Sequence, residues 1–202
     1  MEKAPTTPAR GRPRAFDRDA ALEQAMRLFW ARGFEATSIS DLAAAMGINP
    51  PSLYAAFGDK KRLFAEAVDR YQAGPGGFAL AALAAGGSAR EAIETLLMAA
   101  ARAFSDPACP PGCMVVLAAT NCGAEADDIV EALRARRLGS EAVIRDRILT
   151  GVRSGEIAEA DADALASFYA AVFQGMSIKA RDGAPRHELE AMARLAMQAW
   201  PA

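Results

Sequence analysis

The sequence predicts an all-α protein: an N-terminal three-helix helix-turn-helix unit followed by a larger helical domain, about nine helices in total. Three observations point there. Apolar residues recur at i, i+3, i+4 and i+7 in segment after segment, the spacing that lines one face of a helix. Ser, Asp or Asn precedes most of these segments, where a side-chain oxygen can cap free backbone N–H groups, and Gly often follows them. No stretch shows strand-like alternation flanked by hairpin turns, and no internal repeat is evident.

Asp17 caps a first helix with the stripe Leu22, Ala25, Met26, Phe29 and Trp30, stopped at Gly33. Ser38 and Asp41 have capping-box spacing, with Asp in place of the preferred Glu. They open a short helix through Leu42, Ala43 and Met46 that ends at Gly47. Asn49 caps the next, with Pro50 and Pro51 in its first turn, where a missing N–H costs little. Ser52 to Phe57 complete it, Gly58 breaks it and Asp59 caps again. A longer fourth helix from Lys60 carries Leu63, Phe64, Ala67, Val68 and Tyr71. The segment 74–87 is bracketed by glycines and reads as a hinge, into part of which the fourth helix can continue. Ser88 and Glu91 form a second capping box for a helix to about Phe104, ended by Asp106-Pro107. Pro110-Pro111-Gly112 leads a helix that buries Met114, Val115, Leu117 and Ala118. A long helix from about Ala124 to Val152 carries Ile129, Leu133, Leu138, Val143, Ile144, Ile148 and Leu149. Asp161 caps a helix with Leu165, Phe168, Tyr169, Val172, Phe173 and Met176. The last helix, after Gly183-Ala184-Pro185, carries Leu189, Met192, Leu195, Ala196 and Ala199.

The composition, 52% hydrophobic and 24% charged over 202 residues, is that of a globular chain with a real core. No apolar run reaches the roughly 18 residues of a membrane span, and the N-terminus lacks the apolar stretch of a signal peptide. The expectation is a cytoplasmic protein without a membrane partner. Three cysteines, Cys109, Cys113 and Cys122, do not make a disulfide framework, and the single His187 is far from them. There is no Gly-rich phosphate loop, metal-ligand cluster or nucleophile–base signature. Neither an enzyme nor a bound metal or cofactor is expected.

The net charge of −2 hides an asymmetry, since residues 1–72 carry an excess of positive charge and the remainder an excess of negative charge. Residues 1–15 hold three prolines and no periodicity, and read as a flexible basic arm. In it, Arg10, Arg12 and Arg14 flank Gly11 and Pro13, a fragment suited to the narrow minor groove of A·T-rich DNA. Residues 16–72 then hold two short helices about a Gly turn, braced by helices on both sides. The second helix of such a pair fits the major groove, which is about 12 Å wide. A helical protein-binding adaptor would leave both the arm and this arrangement unexplained.

The stretch Phe16 to Tyr71 resembles the DNA-binding domain of the TetR family of regulators. The resemblance rests on Ala25 and Leu28-Phe29, on Gly33 to Ser38, on Ile39 to Gly47, and on Ser52-Leu53-Tyr54-Ala55-Ala56-Phe57-Gly58-Asp59-Lys60-Lys61-Arg62-Leu63-Phe64. It implies a two-fold homodimer that sets its third helix into major grooves of a palindromic operator in double-stranded DNA, and a small-molecule effector that releases it. It further implies that Tyr54 and Lys60 reach phosphates, that Ser38 and Ser40 lie near the backbone, and that Asn49, Pro50, Ser52 and Ala55 face the bases. Ala55 and Ala56 stand where many members carry longer side chains. Alanine can only touch a thymine methyl, so direct base readout is expected to be sparse.

Residues 73–202 are expected to bind the effector and to dimerise. Met98, Phe104, Met114, Leu117, Tyr169 and Phe173 are candidate pocket lining, with Asn121, Thr120 and Gln174 as polar anchors. Phe168, Val172, Met176, Met192 and Leu195, on the last two helices, are candidate dimer contacts. Cys109-Pro-Pro-Gly-Cys113 carries the alternative of a redox- or electrophile-responsive regulator, with Cys113 near a helix N-terminus where its thiol pKa would fall.

Overall fold

The computed structural model describes residues 16–120, 122–157 and 162–201. The basic arm with Arg10, Arg12 and Arg14, the capping residue Asp161 and the pocket candidate Asn121 lie outside the described residues. The helices are α1 (Arg18–Arg32), α2 (Ile39–Met46), α3 (Pro50–Phe57), α4 (Lys60–Ala73), α5 (Phe78–Ala84), α6 (Ala89–Phe104), α7 (Met114–Leu117), α8 (Asp127–Arg153), α9 (Ala162–Arg181) and α10 (Arg186–Ala196). Single 3-10 turns precede α8 and follow α10, and no strand occurs among the described residues.

The caps act as their chemistry predicts. The Asp17 carboxylate accepts from the N–H groups of Asp19 and Ala20, and Ser38 and Asp41 form a reciprocal capping box. The Asn49 side chain accepts from Ser52 N–H, that of Asp59 from Arg62 N–H, and Ser88 and Glu91 repeat the box at α6. Gly47 closes α2 in the left-handed conformation (φ 67°), which turns the chain sharply into α3.

Two short helices depart from expectation. The supposed hinge holds a separate helix, α5, because Gly74 to Gly77 interrupt α4 while Phe78 buries its ring against Phe104 and Phe173. The helix led by Pro110-Pro111-Gly112 is only four residues long, and Leu117 is half-buried rather than buried. On α8, Leu138 and Val143 point outward, although their spacing placed them with the core residues.

One continuous core joins the N-terminal four helices to the rest. In the first part, Phe64 packs edge to face on Phe29 and Phe34, with centroids 5.0 Å and 5.1 Å apart, and Phe29 and Phe34 stack on each other. At the junction, the Trp30 ring meets Tyr71 at 4.8 Å. The chain from Ala108 to Ala118 is bonded directly to α1 and the residues that follow it. Arg27 donates to Ala108 O at 3.0 Å, Trp30 Nε1 to Gly112 O at 3.0 Å, and Phe34 N–H to Ala118 O at 2.7 Å. From α9, Arg181 donates to the carbonyls of Trp30 and Ala31 at 3.3 Å and 2.5 Å.

Candidate nucleic-acid interface and ligand cavity

Helix α3 is held by one face and open on the other. Leu53 and Phe57 are buried in the N-terminal core, while Pro50, Tyr54 and Ala55 are exposed, Tyr54 by 49%. Asn49 is exposed at its N-cap and Ser52 is half-buried. Asn49 uses its side-chain oxygen on Ser52 N–H, which leaves its amide NH2 free to donate outward. Ala56 turns partly inward, and its carbonyl accepts from Arg18.

The two serines of α2 differ. Both the backbone N–H and the hydroxyl of Ser38 donate to the Asp41 carboxylate, at 3.0 Å and 2.6 Å. Ser40, exposed on the same turn, makes no side-chain hydrogen bond among the described residues. Of the two, Ser40 is the one with a donor to offer a phosphate. Lys60 folds its ammonium over the Phe34 ring, 4.3 Å from the centroid, and reaches Glu35 O at 3.5 Å. Burial pulls its pKa down, against the opposing pull of the Glu35 carboxylate. Lys61 is tied to Asp128 at the start of α8, at 2.7 Å, in a solvent-exposed pair.

A narrow cavity of about 70 Å³ opens between α4, α5, α7, α8 and α9. Its wall combines apolar side chains such as Phe78, Val115, Ile144 and Phe173 with the polar groups of Tyr71, Arg137, Glu141 and Gln174. Of the pocket candidates among the described residues, Phe173 and Gln174 line this cavity and the others do not. Phe104 is fully buried behind the wall, edge-on to Phe173 at 5.1 Å. Met114 is fully buried and offers the cavity no side-chain surface, and Leu117 turns back onto Gly112. Tyr169, next to Ala170 on α9, is not part of the wall; it packs against Phe168 and Trp200, with its hydroxyl 3.4 Å from Ala196 O. Neither Met98, half-buried on α6, nor the exposed Thr120 belongs to the wall. Arg137 carries no apolar signal of its own in the sequence, yet it lines the cavity. It stands four residues after Leu133 and seven before Ile144, both buried, so the stripe itself carries it inward.

Cys113 also lines this cavity, beside Tyr71. Its expected low pKa is overturned. Burial pushes the Cys113 thiol up, and the four-residue helix it precedes has too little dipole to compensate. Tyr71, hydrogen-bonded to that thiol, is driven up by the same burial. Cys109 borders a separate depression on the other side of Tyr71, and Cys122 stands by Glu35 and Lys60.

On α9 and α10, Phe168 is 41% and Leu195 66% exposed, with Val172 and Met192 half-buried. Met176 does not belong with them. It is wholly enclosed by its own chain and has no surface to give a partner.

A paired α2–α3 with its second helix turned outward, set on a helical body with an internal cavity, defines the class of helix-turn-helix regulators. Residues 21–67 match the profile of bacterial regulatory proteins of the tetR family, and residues 89–195 match that of the tetracyclin repressor-like C-terminal domain. The HTH-type transcriptional repressor ComR of Escherichia coli K12 is 37% identical over 198 residues, spanning 96% of this chain and 93% of ComR. The repressor BdcR of the same organism is 36% identical, over 94% of this chain and 91% of BdcR. A cysteine mutant of the TetR family regulator CifR, solved in complex with 26-base-pair operator DNA, superposes with a TM-score of 0.91 at 44% identity, covering 95% of this chain and all of that one. The chain belongs to the TetR family of transcriptional regulators.

Proposed function

We propose that this protein is a cytoplasmic repressor without catalytic activity, which binds a palindromic operator as a homodimer and lets go when a small molecule fills the cavity. The observation that carries the DNA-binding reading is the outward face of α3. Asn49, Pro50, Tyr54 and Ala55 are presented together while Leu53 and Phe57 lock the opposite face into the core. With two prolines and an alanine on that face, most affinity comes from phosphate contacts by Tyr54, Ser40 and Lys60, from the Arg10–Arg14 arm, and from DNA shape. Domain limits of 1–15, 16–72 and 73–202 follow the same division of labour. Release has a physical route in this reading. The segment that supplies Cys113, Val115 and Val116 to the cavity also accepts the Trp30 and Phe34 hydrogen bonds at Gly112 and Ala118. A ligand that shifts the wall therefore moves α1, and the α2–α3 pair with it.

Titration of the promoter region beside its own gene by gel shift tests the reading. A complex that resists nonspecific competitor and weakens steeply with salt is expected; no such complex at low salt overturns it. The alternative, a redox- or electrophile-responsive regulator acting through Cys109/Cys113, is favoured only by the place of Cys113 on the cavity wall. Inducer response that survives Cys109→Ser with Cys113→Ser dismisses it.

A further inference from the structure

We propose that the cavity takes an alkyl or aryl-alkyl carboxylate, its carboxylate on Arg137 and its chain along the apolar groove toward Leu80 and Val143. This rests on reading the cavity as the effector site, and it names the chemistry of the occupant.

The head group follows from Arg137. One guanidinium nitrogen donates to Val115 O at 3.1 Å, which holds the side chain against the wall. Among the described residues no carboxylate lies within ion-pairing distance of it, unlike Arg136 beside it, which pairs with Asp69 at 2.7 Å. A guanidinium cannot shed its charge and has five N–H donors. An uncompensated charge facing an apolar enclosure is costly, and a carboxylate both neutralises it and accepts two parallel hydrogen bonds. Glu141, one turn further along α8, is the counter-argument. It is partly exposed, makes no hydrogen bond or ion pair among the described residues, and can turn to water. Arg137 is partly exposed too, but it keeps its charge and is held at the wall by its bond to Val115 O.

The tail follows from the groove. The cavity shares Gly76, Ala79, Ile144 and Phe173 with a second, mostly apolar hollow that continues along α5 and α8. That hollow is bordered by Leu80, 53% exposed, and Val143, 37% exposed. An aliphatic chain leading away from Arg137 would cover both side chains, and burial of such surface is favourable.

The test uses one tail with three heads: octanoate, octanamide and octylamine, added to the full-length protein. Binding is read by thermal shift and release by displacement from the operator fragment. Octanoate is expected to bind at least about tenfold more tightly than octanamide, the size of effect that a charged hydrogen-bond partner gives. It should also weaken operator binding about fivefold or more. Arg137→Gln should erase the preference for octanoate and Arg137→Lys should keep part of it, with circular dichroism checking that both variants fold. Octylamine or octanamide binding as tightly as octanoate overturns the proposal, and so does no binding by octanoate. If a neutral or cationic head releases DNA and octanoate does not, the carboxylate assignment fails while the effector reading stands. If octanoate binds through Arg137 and operator affinity does not change, the effector reading is the one that fails.

Discussion

At the scale of single residues, Lys60 packs on the core and is also the lysine proposed to meet a phosphate. Its ammonium sits over Phe34, a core residue, and at the N-terminal end of α4, where the helix dipole adds positive potential. For the proposed phosphate contact the same ammonium would have to rotate outward from the Phe34 ring. Lys60→Ala is expected to weaken binding to every sequence alike and to lower the slope of log K against log salt by about one. Binding isotherms at four or five salt concentrations measure this, and an unchanged slope rejects the phosphate role. Ser38 and Ser40 give the complementary case. The resemblance implies that both lie near the DNA backbone, and the structure adds that Ser38 has both donors committed to Asp41. Spacing identifies a cap; it does not tell which hydroxyls remain free once capping is done.

At the scale of elements, the N-terminal helices were legible because local chemistry decides them. Asp17, Ser38, Asn49 and Asp59 each cap where a cap was expected, and each of the first four helices stops at a glycine. The cavity was not legible, since its wall is assembled from five helices far apart in sequence. Periodicity says that Tyr169 and Met114 face inward, not what they face. The turn at Gly112 is the element on which cavity and α1 both depend. Gly112 has φ 80°, and a Cβ there would lie 2.6 Å from Ser177 O and from the Leu117 side chain. The neighbouring Cys113 N–H donates to Ser177 Oγ at 2.8 Å, so α9 is stitched to the same turn. Gly112→Ala should therefore destabilise the fold by about 2–4 kcal/mol, from the left-handed backbone and the backbone clash together. Chemical denaturation measures it; a loss under about 0.5 kcal/mol would mean that the turn relaxes freely and cannot carry strain from the cavity to α1.

At the scale of the whole molecule, a two-fold operator calls for two copies of α3 held at a set separation, and a single chain supplies only one. The sequence marked α9 and α10 as the pairing helices but could not divide their apolar residues between the interior and the outside. The division is sharp in the structure. Leu195 and Phe168 stand open, whereas Met176 is sealed inside. Exposed side chains of that size on adjoining helices suit an interface between copies. Two charge insertions separate the roles. Leu195→Glu with Phe168→Glu should leave helix content and monomer folding intact but shift the protein to monomer in analytical ultracentrifugation, with operator affinity falling steeply because each head then binds alone. Met176→Glu should instead lower the melting temperature, since it buries a carboxylate with no partner. A double variant that stays dimeric would place the interface elsewhere, and the spacing of the two recognition helices would then have to be set by a different face of the body.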